Sequence, residues 1–203
     1  AAFTGAIVLG PRLGKYGADG KPRTIAGHHV PMAMLGTFIL LFGWFGFNAG
    51  SQLAADGTAA LAFVNTLVAP VGALISWSLL ERFTVGKPTA VGAASGAVAG
   101  LVAITPSCAY LNPVWALVLG LIVGVVCALA VELKWKLGFD DSLDVVGIHL
   151  VGGIVGTLFI GIAGEKVGWL FTGDPTQLGK QAAGVAIVGL WSFAVAWISA
   201  MLV

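Results

Sequence analysis

The sequence predicts an all-α polytopic membrane protein with six full spanning helices and one partial N-terminal helix. Three observations carry that prediction. Hydrophobic residues make up 58% of the 203 and charged residues only 9%, against about one quarter charged in a soluble domain. Mean hydropathy is +0.99. The apolar residues fall into long runs separated by short breaks, and a run of about 20 is what crosses a bilayer. Open strands are excluded, because unpaired backbone groups cannot face lipid.

The first ten residues, AAFTGAIVLG, are apolar but stop at Pro11, about half a span. A signal peptide's basic region and cleavage site are missing, so the chain reads as starting inside a helix. A polar loop follows, PRLGKYGADGKPRTIAGHHVP. Spans are then expected at 32–51, 58–80, 89–106, 113–134, 143–164 and 177–203. The breaks SQLAADG, ERFTVGKP, TPSCAYLNP, KLGFDD and GEKVGWLFTGDP carry turn chemistry. No linker divides the chain, so residues 1–203 read as a single transmembrane helical domain.

Charge sets the orientation. Loops on the side of residues 11–30 hold Arg12, Lys15, Lys21, Arg23, Arg82, Lys87, Lys134 and Lys136, and the opposite side holds only Lys166 and Lys180. This bias places loops 11–30, 82–88 and 134–142 in the cytoplasm. No basic run of the kind that neutralises phosphates is present, so nucleic acid is not an expected partner. Cys108 and Cys127 sit in apolar context and read as small core residues, with no disulfide or metal spacing. No cofactor or metal is expected.

Small residues recur every fourth position at Gly92, Gly96 and Gly100, and again at Gly120 and Gly124. Such faces let helix backbones approach closely. Pro70, inside the second full span, is expected to kink it or free a carbonyl. Asn65 is expected to hydrogen-bond to a neighbouring helix.

His149 is the sharpest chemical signal, in DDSLDVVGIHLVGGIVG. An ionisable residue inside a span costs several kcal/mol unless it is paired or lines a cavity. Gly152, Gly153 and Gly156 fall on the same side of the helix. Either a tightly packed helix or an open lumen lies opposite them. The ring is either a core histidine bonded to backbone or part of a lumen wall. Asp140, Asp141 and Asp144 stand at the start of this helix, where carboxylates cap orphan N–H groups and meet the positive end of the dipole. No HExxH, GxSxG or phosphate-binding glycine loop accompanies them, and no nucleophile is supplied, so an enzyme is not expected.

GWFGFNAGS is the second signal. Trp44, Phe47 and Ser51 share a face near the outer end of the first full span. Aromatic residues there form anchoring belts. Rings beside a hydroxyl acceptor can also hold a small cation that is shedding water. His28 and His29, in GHHVPM, read as a polar segment at the cytoplasmic rim.

GWFGFNAGS, ALAFVNT, GKPTAVGAASGAVAGLVAITPSCAY and DDSLDVVGIHLVGGIVG occur in the order and spacing of the Amt/Mep/Rh ammonium transporter family, and the chain resembles a bacterial Amt protein. The resemblance covers nearly the whole chain but only the second half of the family's fold, an eleven-helix bundle of two inverted halves. It implies that the chain is a fragment of a longer transporter, starting inside the fifth helix and ending in the eleventh.

The resemblance implies roles as well. Phe47 is similar to the phenylalanine that gates the outer mouth, and Ser51 to the vestibule serine that helps bind ammonium. Trp44 and Asn48 belong to the same motif. His149 resembles the second of two pore histidines, and Asp141 the symmetry mate of an aspartate in the first half. Asp144 and Thr105 are supporting residues within the matched stretches. The first pore histidine, its aspartate, a second gating phenylalanine and the vestibule tryptophan would lie in the unmatched half, so this segment alone is not expected to conduct.

The implied mechanism answers a physical problem: moving a bare ammonium-sized ion into a low-dielectric pore costs on the order of 20 kcal/mol. Ammonium binds at the outer vestibule and is deprotonated near the gate, and ammonia passes along an apolar lumen beside a neutral imidazole that hydrogen-bonds to it or relays a proton. The implied partners are ammonium or ammonia, the lipid bilayer, a homotrimer and a PII-type regulator on the cytoplasmic face. The implied location is the bacterial inner membrane. A membrane ammonium sensor of the same architecture and a purely structural bundle are the other readings. An intramembrane enzyme using His149 and Asp144 ranks last.

Overall fold

The chain folds as a helical bundle in a computed structural model that describes residues 1–202. Its helices are α1 (Ala2–Leu9), α2 (Val30–Asn48), α3 (Gly57–Thr84), α4 (Ala90–Ile104), α5 (Pro113–Leu137), α6 (Val151–Ala163), α7 (Trp169–Thr172) and α8 (Thr176–Met201). A π-helical turn, Val146–Leu150, runs directly into α6. Each expected span corresponds to a helix. Five are long and apolar enough to cross a membrane.

The exception is α4, with 15 residues where 89–106 was expected. At about 1.5 Å per residue it falls short of the ~30 Å hydrocarbon core. It continues as turns to Leu111. Leu101, Ala103, Ile104, Ser107 and Leu111 are all 0% exposed. Irregular backbone is tolerated at membrane depth where protein, not lipid, surrounds it.

Helix starts follow local chemistry. The Asp56 carboxylate accepts from the Thr58 and Ala59 N–H groups at 2.9 Å. Thr89 Oγ1 accepts from Gly92 N at 2.9 Å, and Asn112 Oδ1 from Trp115 N at 3.1 Å. Such caps stabilise a helix by about 1 kcal/mol each. The rim residue His29 has the same role, its Nδ1 accepting from Met32 N at 2.9 Å. α5 ends where Gly138 takes φ 74°, a left-handed cap that its Cβ-free backbone allows.

The core is built on close backbone approach. α3, α4 and α5 pack on one another, α3 most extensively against the other two. A Cβ at Gly96 would stand 2.9 Å from the Ala73 carbonyl oxygen, and one at Gly100 would stand 2.5 Å from Pro70 Cα. Gly120 rests against the Ala69 carbonyl and Gly124 against Ala73 and Ser76. Both glycine series are therefore packing faces, as expected. α3 runs unbroken through Pro70. Asn65 bonds not to a neighbouring helix but to the α4–α5 connection, donating to the Cys108 and Leu111 carbonyls at 2.8 and 2.6 Å. Those turns offer free carbonyls, whereas carbonyls inside a helix are already used. Cys108 and Cys127 are free and buried.

The connections sort to two ends. At one, Arg12 forms a forked ion pair with Asp140, Nε to Oδ2 at 2.7 Å and Nη2 to Oδ1 at 2.9 Å. Tyr16 also donates to the Phe139 carbonyl there. At the other, Asn112 donates to Glu165 Oε1 at 3.0 Å and Glu165 N to the Tyr110 carbonyl at 2.9 Å. The expected alternation of loops matches this grouping.

Arg12 holds the Asp140 carboxyl down to about 2. A depressed carboxyl contributes stability that is complete above its unfolded value near 4 and is lost as pH falls through the folded value. Asp140→Asn is therefore expected to remove part of the acid sensitivity of the thermal midpoint between about pH 4 and 2. The Arg12 side chain is 44% exposed, so solvent screening limits the loss at neutral pH to about 1 kcal/mol or less. Parallel melting curves of the two proteins check this, and identical acid limbs would refute it.

Candidate functional site

The GWFGFNAGS motif ends α2 and turns through a short 3₁₀ helix, Gly50–Gln52. Trp44 is partly buried, and its Nε1 donates to Thr105 Oγ1 at 2.7 Å. Thr105 in turn donates to the Leu101 carbonyl at 2.7 Å, which leaves its oxygen lone pair for the indole. Asn48 is buried and donates to Thr66 Oγ1 at 3.0 Å. These two bonds tie the end of α2 to α3 and α4.

Between the ties Phe47 stands 72% exposed, its ring centroid 6.4 Å from that of Trp44 in an edge-on arrangement. Ser51 donates its hydroxyl proton to the Phe47 carbonyl. Ser51 is exposed, and with its proton so placed its oxygen can still accept a hydrogen bond. Phe47, Asn48, Ser51, Thr105, Cys108 and Tyr110 line one cleft of about 260 Å³. An aromatic ring and a hydroxyl acceptor in one cleft suit a small N–H cation.

His149 lies elsewhere, on the π turn. It is exposed, and among the described residues its ring nitrogens make no hydrogen bond. A core histidine satisfied by backbone is thus not what the structure contains. The glycines beside it divide. Gly156 presses on the Ala103 backbone and Gly152 lies 3.3 Å from Cys127 Sγ, measured from a built Cβ, whereas Gly153 has nothing within 4 Å. Gly153 is one turn from His149, so the open side carries the imidazole and the packed side carries Gly152 and Gly156. Close packing is thus realised at Gly152 and Gly156, and the strip with Gly153 and His149 has no packed neighbour among the described residues.

The three aspartates do not share one role. Only Asp141 caps, its Oδ2 accepting from Val146 N at 2.6 Å. Asp140 is spent on Arg12, and Asp144 pairs with Lys134. Capping needs a carboxylate next to the free N–H groups, and the two flanking residues are drawn off by cations from other elements. Asp144 has a φ of 57°, a left-handed conformation that aspartate tolerates better than most residues. Burial pushes its carboxyl up, and Lys134 opposes that shift. Lys134 also donates to the Asp141 carbonyl at 3.1 Å.

The structure brings Trp44, Phe47, Asn48, Ser51 and Thr105 together. It places Asp141, Asp144 and His149 along the segment that leads into α6, and His149 does not line the outer cleft. Lys134 is the residue that sequence reasoning counted only as a loop charge. Its spacing of seven and ten residues before two aspartates was the available signal.

A family model described as Ammonium Transporter Family matches residues 1–203. An ammonium transporter of Mycobacterium bovis is 49% identical, over 100% of this chain and 44% of its own length. A putative ammonium transporter of Methanothermobacter thermautotrophicus is 43% identical, over 100% and 50%. Among solved structures, a Sensor Amt Protein superposes with a TM-score of 0.91 at 37% identity, over 98% of this chain and 50% of that one. Candida albicans Mep2 gives 0.85 at 34% identity, over 97% and 45%. The chain spans about half the length of the curated relatives it matches.

Proposed function

The chain belongs to the ammonium transporter family, and from that premise we propose that it forms part of the wall of an ammonia-conducting membrane pore. The observation that carries this reading is the outer cleft, where an exposed ring and an exposed hydroxyl stand on a hydrogen-bonded frame. Ammonium exchanges part of its water for the Phe47 ring and the Ser51 oxygen. It gives up a proton near Phe47 to the outer water, and that proton travels separately or returns to the outer side. Neutral ammonia then escapes the Born penalty of about 20 kcal/mol that the ion would meet in a low-dielectric lumen. On its way it passes the open strip carrying His149 and Gly153. Small residues there leave room, and the imidazole offers a hydrogen-bond partner in an otherwise apolar wall.

Trp44, Asn48 and Thr105 position the cleft. Asp141 positions the turn that carries His149, and Asp144 supports it through Lys134. Residues 1–203 constitute one transmembrane helical domain of a larger transporter. The exposed strip around His149 is completed by the portion of the family fold that this chain does not span. The assembly is a homotrimer in the bacterial inner membrane, with loops 11–30, 82–88 and 134–142 cytoplasmic and available to a PII-type regulator.

The test uses the intact polypeptide that contains this chain, expressed in cells lacking ammonium uptake. His149→Ala is expected to lower uptake of methylammonium by about tenfold, the effect of losing ~1.4 kcal/mol of barrier stabilisation. Unchanged uptake and selectivity would remove the imidazole from the mechanism. A second reading, an ammonium sensor, is favoured by the likeness to the Sensor Amt Protein. It predicts ammonium binding without flux in the unaltered protein reconstituted into liposomes.

A further inference from the structure

On the end that carries the basic loops lies a cavity of about 470 Å³, lined in part by Arg12, Lys15, Arg23, Lys134, Trp135 and Ser142. No carboxylate lines it. We propose that this cavity binds a phosphate group through Lys15 and Arg23, the two lining cations that form no ion pair among the described residues. The inference does not depend on the transport reading.

Two of the four lining cations are held in ion pairs, while Asp19 stands near Arg23 without bonding to it. Arg12 is taken by Asp140 and Lys134 by Asp144. Lys15 is only 4% exposed, yet among the described residues it forms no ion pair. Its Nζ donates one bond, to the Arg23 carbonyl at 3.1 Å, and lies 4.1 Å from the Trp135 ring centroid. A buried ammonium with two donors unused is costly unless an anion completes it. The Arg23 guanidinium makes no hydrogen bond among the described residues. It is exposed and presents the forked donor set that matches a phosphate.

The loop that holds these two cations is built. Arg23 N donates to the Lys15 carbonyl at 2.7 Å, Gly17 N to the Lys21 carbonyl at 2.9 Å, and Gly20 N to the Gly17 carbonyl at 2.9 Å. Gly20 closes the turn with φ 72°. This small hairpin sets residues 15 and 23 side by side over the end of α5. Trp135 is an aromatic residue of the kind found at headgroup depth. Basic pockets there bind phospholipid headgroups. A soluble phosphate offers the same oxygens, so two sources fit one site.

The experiment has two arms, both on the intact protein in neutral detergent or nanodiscs. In one, melting temperature is followed against inorganic phosphate, with chloride at equal ionic strength as the reference. In the other, retention of phosphatidylglycerol over phosphatidylcholine is counted by native mass spectrometry. Lys15→Gln and Arg23→Gln are each expected to weaken binding by about fivefold, the effect of removing one basic residue near an anionic surface. Lys87→Gln, in another loop on the same end, is expected to change nothing. A drop in either arm supports the site, and the arm that drops identifies the source. If neither probe binds, or if both variants bind like the parent, the proposal is overturned. Should Lys15→Gln fail to fold, Arg23→Gln decides alone, because that side chain is exposed and its loss leaves the interior unchanged.

Discussion

Gly156→Leu is expected to leave no stably folded protein. A Cβ at this position would fall on the Ala103 carbonyl oxygen, 2.7 Å from the carbonyl carbon and 2.8 Å from Ala103 Cα. Every one of these neighbours is backbone, so no rotamer change relieves the clash. Ala103 is 0% exposed in α4 and cannot yield without moving the helix against α3. Insertion of a single methyl into such a contact costs about 1–3 kcal/mol. A leucine adds three further carbons and forces α6 away from α4 altogether. Gly153→Ala is the control. Nothing lies within 4 Å of its built Cβ, and exchanging a mid-helix glycine for alanine stabilises by about 0.5–1 kcal/mol. Size-exclusion profiles and melting curves of the two variants separate the cases. A monodisperse Gly156→Leu protein with the parental melting point would show that α4 and α6 do not pack at this distance.

Lys134→Met is expected to destabilise by about 3–5 kcal/mol, the penalty for removing one partner of a buried ion pair. The Lys134 side chain is 8% exposed and that of Asp144 28%, so water compensates the remaining carboxylate poorly. The lysine also spans two points of the turn before α6, the Asp144 carboxylate and the Asp141 carbonyl. Its loss releases the segment that presents His149.

The pH dependence follows from the sign of the Asp144 shift. Burial already raises this carboxyl, and Lys134 is the group that pulls it back. Without the lysine it rises further. A raised carboxyl is tolerated below its unfolded value and penalised as pH climbs through its folded value. The gap between parent and variant is therefore widest at neutral pH and narrows toward about pH 4. Adding Asp144→Asn should recover part of the loss at neutral pH. It removes the orphaned charge, and asparagine keeps the left-handed backbone that residue 144 requires. A gap that does not depend on pH would mean that the lysine acts through packing alone.

The outer cleft was the more legible half of the site. Trp44, Phe47 and Ser51 are joined by helical spacing within one segment, so their shared face could be read from the chain. The ties that hold them, from Trp44 to Thr105 and from Asn48 to Thr66, cross 61 and 18 residues. Nothing in local spacing announces such bonds. At the other end, the three aspartates look alike in the sequence, but the partners of Asp140 and Asp144 come from a loop 128 residues distant and from the preceding helix, while Asp141 caps locally.

The sequence by itself located the long apolar segments, five of which are helices long and apolar enough to cross a membrane, and the glycine faces. Hydropathy, the bias of Lys and Arg, and a four-residue period are properties of the chain in order, and they survive any change of neighbours. Only the tertiary structure decided which glycines touch backbone and which face open space, which cations meet which aspartates, and that the turn under His149 is π-helical. Those outcomes depend on what stands opposite a residue, and the opposing groups lie tens of residues away along the chain.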